Sequence, residues 1–133
     1  MSGFGQQELQ LVLYQKLTND STLMSTLGGV YDFVPEYSAY PYLTMGEILW
    51  NDASGPATTA AECTLTLRVF SRSSGRKEAA VIMNRLHDLL HNGTLSPSGY
   101  TLVFLQFVSG EITMENDGVT HLGVMRFQAF LQG

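Results

Sequence analysis

The sequence predicts an α+β fold: a mostly antiparallel sheet of about four to five strands with helices packed on it. Three observations indicate this fold, namely an alternating strand at Cys63–Val69, an amphipathic helix that follows it, and a turn sequence, Asn116-Asp117-Gly118, between two apolar segments. With 133 residues, of which 44% are hydrophobic, the chain is long enough for one compact core. We therefore expect a single domain over residues 1–133.

The first segment of the chain predicts two helices. Leu9, Val12, Leu13 and Leu17 recur at helical spacing, which indicates a helix from about Gln6 to Leu17. A second, short helical turn follows: Asp20 or Ser21 can cap it, it carries Leu23, Met24 and Leu27, and it stops at Gly28-Gly29.

Two strands and a loop come next. We expect a short strand near Val30 to Phe33 and a longer one from Tyr42 to Leu49, which Trp50 ends. The segment Asn51–Ala60 has the composition of a loop and no apolar periodicity, so it forms either a mobile arm or a long hairpin turn.

The second half predicts the centre of the fold. Apolar residues alternate with polar ones from Cys63 to Val69, as in a central strand with one face on the core. In the following helix one stripe is apolar and should lie across the sheet; it consists of Ala79, Ile82, Met83, Leu86, Leu89 and Leu90. Tyr100 to Val108 is expected to be a largely buried strand, and it should form an antiparallel hairpin with a last strand from about Val119 to Leu131.

Composition narrows the function classes. Only 14% of the residues are charged, which suits either a surface rich in Ser and Thr or a subunit buried against copies of itself. The net charge of -5 argues against direct nucleic-acid recognition. We find no signal-peptide pattern and no membrane-length apolar segment, so we expect a cytosolic, soluble protein with no membrane partner.

One pattern suggests a metal site. His87 and His91 lie four residues apart on a predicted helix, as in zinc proteases, but Asp88 occupies the position where those enzymes use Glu. His121 has no recognisable ligand spacing. We therefore expect ordinary helix-end histidines, no metal, no cofactor and no catalytic residue, and we expect Cys63 to be a small buried hydrophobic residue.

A group of tyrosines, Tyr37, Tyr40 and Tyr42, lies near Trp50 in the sequence. Aromatic residues are enriched at protein interfaces, but they also pack in cores. The sequence leaves both interpretations open.

The order and spacing of several short segments resemble those of the small tail-completion and tail-terminator proteins of long-tailed bacteriophages and gene transfer agents. The segments are a first helix before Gly28-Gly29-Val30-Tyr31-Asp32, then Val34-Pro35-Glu36, Tyr40-Pro41-Tyr42-Leu43-Thr44-Met45-Gly46-Glu47, Leu65-Thr66-Leu67-Arg68-Val69-Phe70-Ser71-Arg72, Gly75-Arg76-Lys77-Glu78-Ala79, Asp117-Gly118 and Gly123-Val124-Met125-Arg126-Phe127.

The resemblance implies a non-enzymatic virion protein that forms a ring, usually six-fold, on the head-proximal end of a tail tube and takes part in head-tail joining. Its partners would be copies of itself, the tail tube protein and head-tail connector proteins. The expected subunit-interface residues are Glu36, Tyr40, Tyr42, Glu47, Arg68, Arg72, Arg76 and Lys77. We expect the basic residues to pair with Glu36 or Glu47 across the subunit boundary, or to form a solvated helix start. The segment Asn51–Ala60 would line the lumen or reach a neighbour.

Two alternatives remain at this point. The first is another position in the virion, as a different head-tail connector or a minor tail protein. The second is a small metal-dependent hydrolase that uses His87 and His91.

Overall fold

The computed structural model describes residues 5–133 and has helices and strands in the predicted order. The elements are α1 (Gln6–Thr18), α2 (Ser21–Met24), β1 (Val30–Tyr31), β2 (Tyr42–Asp52), β3 (Ala60–Ser71), α3 (Lys77–Leu90), β4 (Thr101–Met114) and β5 (His121–Gln132).

The strands form one five-stranded sheet in the order β1-β2-β3-β5-β4. β1 is parallel to β2, and the other neighbouring pairs are antiparallel. The predicted α+β class is confirmed, as are the central place of β3 and the hairpin of the last two strands.

One face of the sheet carries the core. Because side chains alternate along a strand, the inward residues of β3 and β5 meet in register, with Leu65 opposite Phe127 and Leu67 opposite Met125. α1 adds Leu9, Leu13 and Leu17, and α3 adds Ile82, Leu86 and Leu90, to the same buried cluster. No described helix contributes a buried side chain to the opposite face.

An ion pair joins the helices beside this core. Asp20 caps α2 by accepting the Leu23 N–H at 2.9 Å, and its carboxylate accepts two hydrogen bonds from Arg85 on α3, at 2.8 and 2.5 Å. The Arg85 guanidinium lowers the pKa of Asp20. One carboxylate therefore both starts α2 and fixes it to α3.

The strand predicted to be largely buried is instead an exposed edge strand. β4 continues to Met114, six positions beyond Val108, and only Leu105 among its residues is buried. β4 has a neighbour on one side only, and irregularities after Leu102 and after Phe107 shift which residues face the core. The prediction of a buried strand was wrong because an edge strand exposes apolar residues that a central strand would cover.

The segment Asn51–Ala60 is a hairpin and not an arm: its two ends belong to β2 and β3, and residues 53–59 form the turn. β2 continues past Trp50 to Asp52, because Asn51 and Asp52 pair with the start of β3. The Ser54 hydroxyl donates to the Asp52 carboxylate at 2.7 Å and accepts the Ala60 N–H at 3.0 Å. These bonds close the turn locally.

Across residues 5–133, none of the helices has the length and apolar character needed to span a membrane.

Candidate subunit interface

The eight sequence-predicted interface residues lie in separate places on the structure. Tyr40, Tyr42 and Arg72 form one cluster at an end of the sheet. Tyr42 is 9% exposed, and its ring lies 5.0 Å from those of both Tyr40 and Phe70. Burial, followed by the hydrogen bond with Tyr40, raises the pKa of Tyr42 to about 12. Tyr42 is thus packed within the chain, whereas Tyr37 is 94% exposed.

Arg72 connects this aromatic cluster to the turn between β4 and β5. Its guanidinium lies 4.3 Å from the centre of the Tyr40 ring, and its Nε donates to the Thr120 hydroxyl at 3.1 Å. Asp117, 3.8 Å from Arg72, accepts the backbone N–H groups of Thr120 and Val119. These hydrogen bonds lower the pKa of Asp117 to about 2, and those from Thr120 have the largest effect. The cluster therefore joins two loops that are far apart in sequence.

Glu47 and Arg68 form a bidentate ion pair inside the chain. The two Arg68–Glu47 distances are 2.6 and 2.8 Å, and the pair lies at the register shift between Met45 and Ile48. The hydrogen bonds from Arg68 lower the pKa of Glu47 to about 2, and those to Glu47 raise the pKa of Arg68. We expected these two residues to pair across a subunit boundary. They pair within one chain instead, because the neighbouring strands β2 and β3 bring them together.

The remaining three residues are exposed. Glu36 lies in the connection between β1 and β2, and Arg76 and Lys77 lie at the start of α3. Within residues 5–133, none of the three forms an ion pair. They are therefore free to meet charges on another molecule.

His87 and His91 stack on each other, with ring centres 4.9 Å apart. The Nδ1 atom of His91 accepts the Phe107 backbone N–H at 3.0 Å, so this nitrogen is already used. No group of three or more His, Cys, Asp or Glu residues in the described chain is placed to hold a metal ion. The histidine pair serves instead to attach the end of α3 to β4.

The sequence analysis missed a groove between α3 and the second half of β4. Its volume is about 650 Å³, and we call it the α3–β4 groove. Its apolar lining includes Ala80, Met83, Phe107, Ile112 and Met125. The signal was present in the sequence as Gly110, which interrupts an apolar strand and lines the groove.

A second missed feature is an exposed loop that we call the aromatic loop, residues 32–37. Phe33 is 87% exposed and Tyr37 is 94% exposed, and acidic Asp32 and Glu36 accompany them. Of the two tyrosine interpretations that the sequence left open, packing holds for Tyr42, and the contact surface stays a prediction for the solvent-exposed Tyr37.

These features define a class of protein: a small α+β subunit with helices on one face of a mixed sheet and unpaired charges and aromatic residues at its edges. The family model described as tail completion protein gp17 matches residues 12–132, and the chain therefore belongs to the tail completion protein gp17 family. It is accordingly a structural protein of a phage or phage-like virion tail with a role in head-tail joining. The resemblance seen in the sequence is confirmed.

The solved structures that are similar to the chain include two from phage or phage-like particles. One, described as the virion of a native gene transfer agent (GTA) particle, has a TM-score of 0.87 at 23% identity, over 94% of this chain and 95% of that chain. The other, the gp17 protein of bacteriophage SPP1, has a TM-score of 0.65 at 21% identity, over 94% of this chain and 88% of that one. Both show the fold. No curated protein sequence matches the chain.

Proposed function

We propose that this protein forms a closed ring at the head-proximal end of a tail tube, where it stops tube growth and presents a docking surface to the head. The family match over residues 12–132 carries this proposal. The ring would act by binding alone, without catalysis, metal or cofactor. Its partners would be copies of itself, the tail tube protein and head-tail connector proteins.

Ring formation is supported by the difference between the edges of the sheet. A ring requires a head-to-tail contact in which two different surfaces of one subunit meet, one on each neighbour. The aromatic loop follows β1, which is one edge strand, and the α3–β4 groove adjoins β4, which is the other. Arg76 and Lys77 at the start of α3 and Glu36 in the aromatic loop supply opposite charges for such a contact. Of the eight expected interface residues, these three suit it best.

The test is native mass spectrometry of the purified protein over a range of concentrations, because a 14.6 kDa chain and a closed ring differ greatly in mass. We expect one discrete ring species, a hexamer, at high concentration. A chain that stays monomeric at every concentration, with no dimer or larger oligomer, would contradict self-assembly into a ring. Electron microscopy of tails with the bound protein then checks the end at which it lies, which separates a terminator from another connector or minor tail protein.

The hydrolase alternative is tested separately by zinc analysis of the same preparation. A zinc content near one per chain that the double variant His87→Ala/His91→Ala removes would favour the enzyme. We expect a zinc content near zero, since His91 Nδ1 already accepts a backbone N–H.

A further inference from the structure

We propose that the aromatic loop of one subunit inserts into the α3–β4 groove of the next, with Phe33 as the apolar anchor and Glu36 facing the start of α3. This inference rests on the proposed ring and names the two surfaces that would form it. Four observations support it: apolar complementarity, unpaired charge, a shared level on the sheet, and placement on the same side of the sheet.

The loop exposes apolar surface that the groove can cover. Phe33 is 87% exposed, although burying an aromatic side chain is among the most favourable contacts that a protein can make. The groove has an apolar floor, which includes Met83 and Ile112, and Gly110 lines it on the β4 side. Its volume of about 650 Å³ accommodates several side chains.

The charges of the two surfaces are complementary. The aromatic loop carries Asp32 and Glu36, and no Lys or Arg occurs in the sequence between Lys16 and Arg68. On the α3 side of the groove lie Arg76 and, next in sequence, Lys77. Neither has an ion-pair partner among residues 5–133.

Two further titratable groups border the groove, Glu111 on its β4 side and His87 on α3. Glu111 lies in the same cross-strand row as Arg68, so its side chain points to the face of the sheet away from the helices. Arg76 is the charged side chain at the groove that an acidic loop would meet, which places Glu36 toward the start of α3.

The two surfaces lie at the same level of the sheet. One row of paired residues crosses all five strands, from Tyr31 through Thr44, Arg68 and Val124 to Glu111. Tyr31 directly precedes the aromatic loop, and Glu111 borders the groove. Four strand spacings of about 4.8 Å place the two ends of this row roughly 19 Å apart.

The two surfaces also lie on the same side of the sheet. Asp32 borders a hollow with Gln10 of α1 and the inward-facing Met45. The groove lies beside α3, which packs on that same face. A sideways step from one subunit to the next therefore brings loop to groove without turning the sheet over, as a head-to-tail ring requires.

The experiment uses one variant of each surface. Phe33→Ser removes the anchor from the loop, and Ala80→Glu fills the groove with a negative charge that can pair with Arg76 one helical turn earlier. Each should weaken the subunit contact roughly 30- to 1,000-fold, as the loss of a central interface anchor does. Val119→Ser, at another apolar residue that is 54% exposed but outside both surfaces, is the control and should assemble like the wild type.

Mixing the two variants gives the decisive measurement. A Phe33→Ser chain keeps its groove and an Ala80→Glu chain keeps its loop, so one intact contact remains and the mixture should form a one-to-one heterodimer and no ring. Native mass spectrometry records the species, and circular dichroism confirms that each variant is folded.

The outcomes separate this inference from the proposed function. If the wild type forms a ring and either variant still does so at the same concentrations, the loop-groove contact is wrong while the ring stands. If both folded variants are monomers but their mixture also stays monomeric, the pairing of these two surfaces is overturned. A wild type that never assembles overturns both the ring and the contact.

Discussion

The two faces of the sheet differ in composition and in what they contact. The face under the helices buries Leu67, Met125 and Phe127 to 2% exposure or less. The opposite face carries paired polar groups, among them Arg68 with Glu47 and Gln128 with Glu62. Burial of apolar area outweighs partly exposed ion pairs in stability, so the first face determines the fold. Removing one of the polar contacts on the second face should therefore lower the free energy of unfolding only slightly.

The largest expected effect comes from removing the centre of the helix-covered face. Phe127 is fully buried and its ring lies 5.7 Å from that of Phe107. Phe127→Ala should lower the free energy of unfolding by about 3–5 kcal/mol, because it leaves a cavity in the core. Chemical denaturation measures this change.

The matched variant on the opposite face is Phe130→Ala. Phe130 stacks on Phe104 with ring centres 5.9 Å apart and is only partly buried. Its removal should cost about 2 kcal/mol, because the loss of partial burial adds to the roughly 1 kcal/mol of an aromatic pair. Equal losses at the two positions would contradict the distinction between the faces.

An effect smaller than that of Phe127→Ala is expected where α3 attaches to β4. His91→Ala leaves the Phe107 N–H without its acceptor and should cost about 1–3 kcal/mol. His91→Asn is the matched variant, because its side-chain oxygen can occupy the position of Nδ1. Both variants lose the stack with His87, so the difference between their free energies of unfolding isolates the hydrogen bond. No difference would show that this bond contributes nothing.

The smallest effect concerns the ion pair of Glu47 with Arg68, on the face of the sheet opposite the helices. Glu47 has a folded-state pKa of about 2, below the usual value of about 4.3. Its contribution to the free energy of unfolding is therefore fully present above the usual value and is lost as the pH falls through about 2. Glu47→Gln should therefore destabilise the protein by less than about 1 kcal/mol at pH 7, and by less still as the pH falls from about 4.5 to 2.

The control for this profile is Arg68→Met, which removes the partner. In that background Glu47→Gln should change the pH dependence of the thermal unfolding midpoint much less than in the wild type. If Glu47→Gln changes the pH dependence of the unfolding midpoint as much in the Arg68→Met background as in the wild type, Arg68 does not hold Glu47 ionised.

Local periodicity was enough to predict β3, α3 and the final hairpin. β3 alternates and α3 has a continuous apolar stripe, so each pattern carries the information for its own element. β4 could not be assigned to the edge in this way, since Val103 and Val108 suit a buried strand and an exposed edge equally well. Its position depends on which strands pair, and sequence spacing does not contain that information.

The candidate site was predicted less completely for a related reason. Arg68 and Glu47 were both identified, but their pairing within the chain depends on the register of β2 on β3 and on the irregularity after Met45. Tyr42 and Tyr37 belong to the same run of tyrosines, yet one is packed and the other exposed. The α3–β4 groove was missed because it arises between two elements rather than within either.

The edges of the sheet also limit how copies of this protein can associate. β1 has only two residues, and β4 is interrupted by two irregularities. The outer side of β4 is also occupied, since Leu105 accepts the Asn92 N–H at 2.8 Å and His91 accepts the N–H of Phe107. Both edges are therefore poor templates for a further strand. At high concentration, copies of the chain can therefore associate through their side chains. Amyloid-like growth, which needs continuous backbone pairing from edge to edge, is disfavoured.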